Sequence, residues 1–168
     1  LTMGLGSGVT ASIARFIGDE DKKSADNSAE HALAIAGCIA IIFTIAGIYY
    51  GEKILIILGA EGEILVLAWE YLSVIVLGLP FMVFSGFFRS ILAGEGDMKF
   101  PMMVAGLGTL LNIILDPIFI FKLESYGSIG FGMGVKGAAM ATVFSQLIVF
   151  IIFIYMLFIK DHAYITFN

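Results

Sequence analysis

Long apolar runs, each about as long as a membrane is thick and separated by short charged turns, restrict this chain more than any other feature. Ala32 to Tyr50 carries no Asp, Glu, Lys, Arg or His, and a helix of that length crosses most of a hydrocarbon core roughly 30 Å thick. Apolar residues make up 60% of the chain and the mean hydropathy is +1.01, against about 45–50% apolar in soluble domains. Transmembrane β-strands would show alternation in segments of about ten residues, whereas these runs are continuous. The sequence therefore predicts an all-α, polytopic transmembrane helix bundle. A net charge of −5 leaves no basic patch for nucleic acid. Cys38 is the only cysteine, which excludes an internal disulfide and a cysteine metal site.

Periodicity and breakers divide the chain into a partial helix over 1–17 and helices over about 28–58, 64–92, 101–121 and 135–159. The chain opens on Leu1 inside an apolar stretch too short for a full crossing, so it is expected to be a piece of a longer protein. Gly4 and Gly8 form a small-xxx-small pair suited to close packing. Ser24 or Asp26 is the expected cap of the second helix. His31 at its start reads as structural, and Tyr49 and Tyr50 as interfacial anchors. Pro80 lies inside the third helix and removes the partner of the Val76 carbonyl, so a kink is expected, with Gly78 and Gly86 admitting neighbours on either side. Glu70 lies near enough to a turn to snorkel. Pro101 suits the first position of the fourth helix. The loop over 122–134 is glycine-rich but lacks GxGxxG spacing, so it is no nucleotide site. Arg15, Lys22, Lys23, Arg89, Lys99 and Lys160 fall on one side, Lys53, Lys122 and Lys136 on the other, and the excess marks the first side as cytoplasmic.

Against this background Leu110–Phe121 stands out, because it places Asn112, Asp116 and Pro117 at membrane depth. A carboxylate there costs about 2.5–3.5 kcal/mol on insertion scales. Asn112 and Asp116 are four apart and share a helix face, with Gly108 one turn earlier leaving space beside them. Pro117 has no N–H to offer the Ile113 carbonyl. A carboxylate, an amide and a freed carbonyl suit a cation or a proton. On the fifth helix, the small-residue start Gly137–Ala141 favours tight packing. Thr142 and Gln146 share a face there and are candidates for the same pocket. Thr142 and Ser145 also have the alternative of bonding back to their own helix. No nucleophile–base–acid set, paired histidines or metal cluster appears, so an enzyme is not expected.

These features resemble the N-terminal lobe of the multidrug and toxic compound extrusion (MATE) transporters. The resemblance rests on Gly8-Val9-Thr10-Ala11 followed by Ala14-Arg15-Phe16-Ile17-Gly18, on Tyr71 with Gly78-Leu79-Pro80-Phe81, and on Arg89 through Asp97 before Pro101. It continues through Leu111-Asn112-Ile113-Ile114-Leu115-Asp116-Pro117 and Gly134 through Thr142, in the family's order and over nearly the whole chain. It implies part of a six-helix lobe of a twelve-helix antiporter in the cell membrane, exporting organic cations and drugs in exchange for sodium ions or protons. It implies that Asp116, Asn112 and Thr142 form a cation-coupling site for sodium or a proton. No other cofactor is implied. The partners would be the small organic cations, membrane lipid and the remaining helices of the transporter. The family's other coupling aspartate lies on a first helix this chain lacks, and the second lobe is missing too, so this segment alone should transport nothing. On this reading Pro117 and Pro80 are helix-bending positions, and loading of Asp116 bends its helix at Pro117. The competing readings are a lipid-linked oligosaccharide flippase of the same superfamily and a channel or structural membrane subunit. A flippase would line its cavity with basic residues, and a channel would show charged rings or a repeated filter loop.

Overall fold

In the computed structural model the described residues are 2–122, 130–159 and 164–166. They form five helices: α1 (Thr2–Gly18), α2 (Lys22–Ile57), α3 (Gly62–Gly94), α4 (Lys99–Ile120) and α5 (Gly134–Ile154). A wider turn over Tyr155–Ile159 continues α5. α2 to α5 are each long and apolar enough to cross a membrane. Lys160, His162 and most of the loop expected over 122–134 lie outside the described residues.

Several boundaries differ from the sequence expectation, and the causes are local. α2 begins at Lys22 rather than near 28 because Asp21, not Ser24 or Asp26, is its cap. The Ser24 N–H and hydroxyl donate to the Asp21 carboxylate at 3.1 and 2.6 Å, satisfying an orphan donor of the first turn. Those bonds favour the ionised carboxylate and hold its pKa below the ordinary 3.8. α4 begins two residues before Pro101, because the Asp97 carboxylate accepts the N–H groups of Lys99 and Phe100, both at 3.1 Å. At 36 residues, α2 is roughly 54 Å long, so it projects beyond the membrane. His31 lies within 2.7 Å of the Asn27 carbonyl on its own helix. Glu70 is exposed.

α3 and α5 form the middle of the bundle. α1 and α2 pack on α3, and α4 packs on α5. The lipid-facing surface is apolar, with Ile41, Ile42 and Met102 exposed. The buried core lies towards the end where α3 and α5 terminate. Ile13, Phe88, Ile91, Leu92, Val104, Val149 and Phe153 meet there, and the rings of Phe88 and Phe153 are 6.0 Å apart.

Small residues let the helices approach. A side chain at Gly47 would meet Val76 at 2.7 Å, and one at Gly78 would collide with Val143. Gly86 and the Gly4–Gly8 pair, expected to serve the same purpose, have open space instead. It is Gly6, between that pair, that faces α3, with Ser90 2.6 Å from its would-be Cβ. A small-xxx-small spacing marks a face available for packing; which face is used depends on where the neighbour lies.

Residues 164–166 are stitched onto the end holding the core. The N–H groups of Tyr164 and Ile165 donate to the two oxygens of Glu95 at 3.1 and 2.9 Å. The Thr166 N–H and hydroxyl donate to Asp26, each at 3.0 Å. Ile165 between them is 2% exposed.

Two outcomes follow from this packing. Gly78→Val should destabilise the folded protein by about 1–3 kcal/mol through overpacking, whereas Gly86→Ala should leave it unchanged or stabilise it by up to about 1 kcal/mol; thermal unfolding in detergent compares them. Glu95→Ala removes two charge-assisted bonds, so hydrogen exchange at the Ile165 amide should accelerate by about tenfold or more, read by mass spectrometry.

Candidate functional site

Three polar side chains expected from the sequence to share a pocket do meet, on the facing surfaces of α4 and α5. The Asn112 side-chain nitrogen lies 3.4 Å from Asp116 Oδ1 and 3.4 Å from Thr142 Oγ1. All three residues are half-buried. The amide orientation follows from its neighbours. A carboxylate only accepts, and the Thr142 hydroxyl proton is committed to the Ala138 carbonyl at 3.0 Å. Both oxygens therefore take a hydrogen from Asn112. Thr142 thus combines both roles considered for it, bonding back to its helix while its remaining lone pairs face α4.

The arrangement presents oxygens. The second carboxylate oxygen of Asp116 and the side-chain oxygen of Asn112 have no partner among the described residues. Pro117 sits inside α4 and cannot donate to the Ile113 carbonyl. Hard cations select oxygen donors of this kind, and a carboxylate at this depth equally suits a proton. Among the described residues there is no group of three or more His, Cys, Asp or Glu side chains, so soft transition metals find no such cluster there.

The close approach of the two helices has a specific cause. A Cβ at Gly137 would strike the Phe119 carbonyl, so glycine alone lets the start of α5 lie against the end of α4. The segment before α5 folds back over the same end. The N–H groups of Phe131, Gly132 and Met133 donate to the carbonyls of Ile118, Phe121 and Phe119 at 2.8, 2.8 and 2.9 Å. These bonds supply partners to the last carbonyls of α4, which no helix satisfies internally. The stacked rings of Phe119 and Phe144, 5.7 Å apart, tie the helices together beside Thr142.

Asn112 and Thr142 also line a cavity of about 280 Å³ with Gly108, Thr109, Ser145, Gln146, Val149 and Arg89. The space beside Gly108 is not all open, as Val149 reaches within 2.6 Å of its would-be Cβ. Ser145 is buried and donates back to the Ala141 carbonyl at 2.8 Å. Pro80 lies elsewhere. It borders a separate apolar cavity of about 340 Å³ between α2 and α3, beside Thr44 and Phe84. Arg89, which the sequence places among the basic residues on one side of the membrane, also lines this cavity. The signal for that second position is its place five residues before the end of α3, where an ionisable residue beside an apolar span is a candidate for function.

The MatE family model matches residues 1–118. Over 155 residues the chain is 36% identical to a probable multidrug resistance protein NorM of Thermotoga maritima, covering 92% of this chain and 32% of that protein. It is 29% identical over 160 residues to an FAD transporter of Shewanella oneidensis, covering 95% of this chain and 34% of that one. Among solved structures, an inward-facing multidrug resistance MATE family transporter of the MOP superfamily superposes with a TM-score of 0.90 at 39% identity. That match covers 99% of this chain and 36% of the other. The chain thus spans about a third of the length of the proteins it matches. With its membrane-length helices, their order and their packing shared with solved members, this multi-pass membrane chain belongs to the MatE family.

Proposed function

We propose that the chain supplies part of one lobe of a secondary active antiporter that exports organic cations and drugs from the cell. In this reading Asp116, Asn112 and Thr142 are the site at which a sodium ion or proton drives export. The observation that carries it is the Asn112 amide held between Asp116 and Thr142 across the α4–α5 interface. A cation binding there replaces amide-to-oxygen contacts on both helices at once, so it alters how α4 sits on α5. The names of the relatives, a multidrug resistance protein and an FAD transporter, support transport of small organic molecules. The range extends to FAD, whose pyrophosphate is anionic, so family membership by itself does not restrict cargo to cations.

Coupling requires a loaded and an empty state whose affinities for cargo differ; typical coupling free energies of about 1–3 kcal/mol amount to roughly 5–150-fold. The charge change at Asp116 supplies the switch. Pro117, one residue on, gives α4 a point at which it bends between the two states, because the helix lacks one backbone hydrogen bond there.

The test uses the complete transporter in liposomes, with a fluorescent organic cation as cargo, under an imposed sodium gradient and then a proton gradient. Wild type should export under one of them, and Asp116→Asn should lose that coupled export by about tenfold or more. A folded Asp116→Asn variant exporting like wild type would reduce Asp116 to a structural carboxylate. Pro117→Ala should retain cation binding but lose coupled export by a similar factor. Undiminished coupled export in that variant removes bending at Pro117 from the mechanism.

A further inference from the structure

A second cavity, of about 550 Å³, lies between α1 and α3, and it shares Arg89 and Gln146 with the cavity beside Asn112. Arg89 therefore stands between two adjoining clefts. Its side chain is exposed to them and makes no ion pair or hydrogen bond among the described residues. Among the described residues no Asp or Glu lines either cavity. Asp116, one turn beyond Asn112, is absent from both walls and does not neutralise it.

The groups around Arg89 are polar and partly uncommitted. Ser85 precedes it by four residues, so the two lie on one face of α3. Ser85 is 1% exposed, and its hydroxyl has no partner although it borders the larger cavity. Other hydroxyls of that cavity behave differently. Ser7 and Ser90 donate to the carbonyls of Gly4 and Gly86 at 2.8 and 3.1 Å, and the Thr10 hydroxyl is shared between the carbonyls of Gly6 and Ser90 at 3.1 and 2.9 Å. Back-bonding of that kind is the usual outlet for a helical serine, and Ser85 leaves it unused. The Gln146 side chain, across from Arg89 on α5, also has no partner among the described residues. An arginine fork with a hydroxyl and an amide beside it is the donor set that recognises a carboxylate or a phosphate.

We propose that Arg89, assisted by Ser85 and Gln146, binds an anionic group, a carboxylate or phosphate, on the molecule the transporter carries. The cargo class then includes organic molecules that carry an anionic group beside a cationic one. This assignment rests on the exporter reading for its biological meaning, but the binding itself is measurable without transport.

The experiment uses the complete transporter in phosphatidylcholine nanodiscs and two dyes that differ only in one group. Rhodamine 110 has a free carboxylate, and rhodamine 123 is its methyl ester. Fluorescence anisotropy titrations compare wild type, Arg89→Gln, Arg89→Lys and Ser85→Ala, each first shown to be monodisperse. Loss of a charge-assisted contact should weaken rhodamine 110 binding to Arg89→Gln by roughly 10- to 100-fold, with rhodamine 123 changed less than about threefold. Arg89→Lys should fall between, which keeps the test open where the glutamine variant does not fold. Equal losses for both dyes, no loss for either, or no binding of rhodamine 110 to wild type would overturn the proposal. Nanodiscs containing phosphatidylglycerol separate cargo from lipid. Displacement of rhodamine 110 by that lipid in wild type, and not in Arg89→Lys, would assign Arg89 to a headgroup and overturn it as a cargo site. Arg89-dependent binding with no export under either gradient would leave this inference standing and defeat the exporter reading instead.

Discussion

The structure depends on how closely α4 and α5 can approach. In lipid there is no hydrophobic gain in bringing two apolar helices together, so association rests on packing and on polar contacts between them. Gly137 permits the approach by offering no Cβ to the Phe119 carbonyl, and the 131–133 backbone closes the end of α4 with three hydrogen bonds. Thr142 lies one and a half turns further along α5, and that approach brings it within 3.4 Å of Asn112. A larger residue at position 137 would separate the helices where the polar groups need to meet. The site is therefore a consequence of packing as much as of its own chemistry.

The polar groups of the bundle separate into two kinds. Most hydroxyls, such as Ser145 and Thr109, are satisfied by their own helix and cost the membrane little. A few are left with unused capacity: Asp116 and Asn112 towards the α4–α5 interface, Arg89, Ser85 and Gln146 towards the adjoining clefts, and Thr44 beside the apolar cavity of α2 and α3. Unsatisfied polar groups are expensive in a medium that cannot hydrogen-bond, and the gathering of most of them on neighbouring surfaces supports the proposed roles in holding cargo and a driving ion. Arg89 borders both clefts and Asp116 lines neither, so the two opposite charges do not pair with one another.

Much of the architecture was legible in order and type. The apolar runs located the crossing helices, and the spacing of Asn112 and Asp116 placed them on one face. Helix ends were less legible, because they depend on which of several nearby acids accepts the first N–H groups. Asp21 caps α2 while Asp26 is taken by Thr166, 140 residues away, a pairing no local pattern encodes. Glycine spacing marked faces that can pack without showing which do: Gly78 is in contact and Gly86 is not. That Arg89 also borders two clefts was illegible for a related reason, because it depends on which helices stand beside the end of α3.

The sequence by itself determined a chain of membrane-crossing helices and a carboxylate, an amide and a proline within six residues of one of them, since hydropathy and helical periodicity are local properties. Only the tertiary structure decided that Thr142 joins that pair, that Pro80 lies apart from it, and that Arg89 opens onto two clefts. Each of these turns on which helix faces which, and in lipid that is settled by where side chains are small enough for backbones to meet.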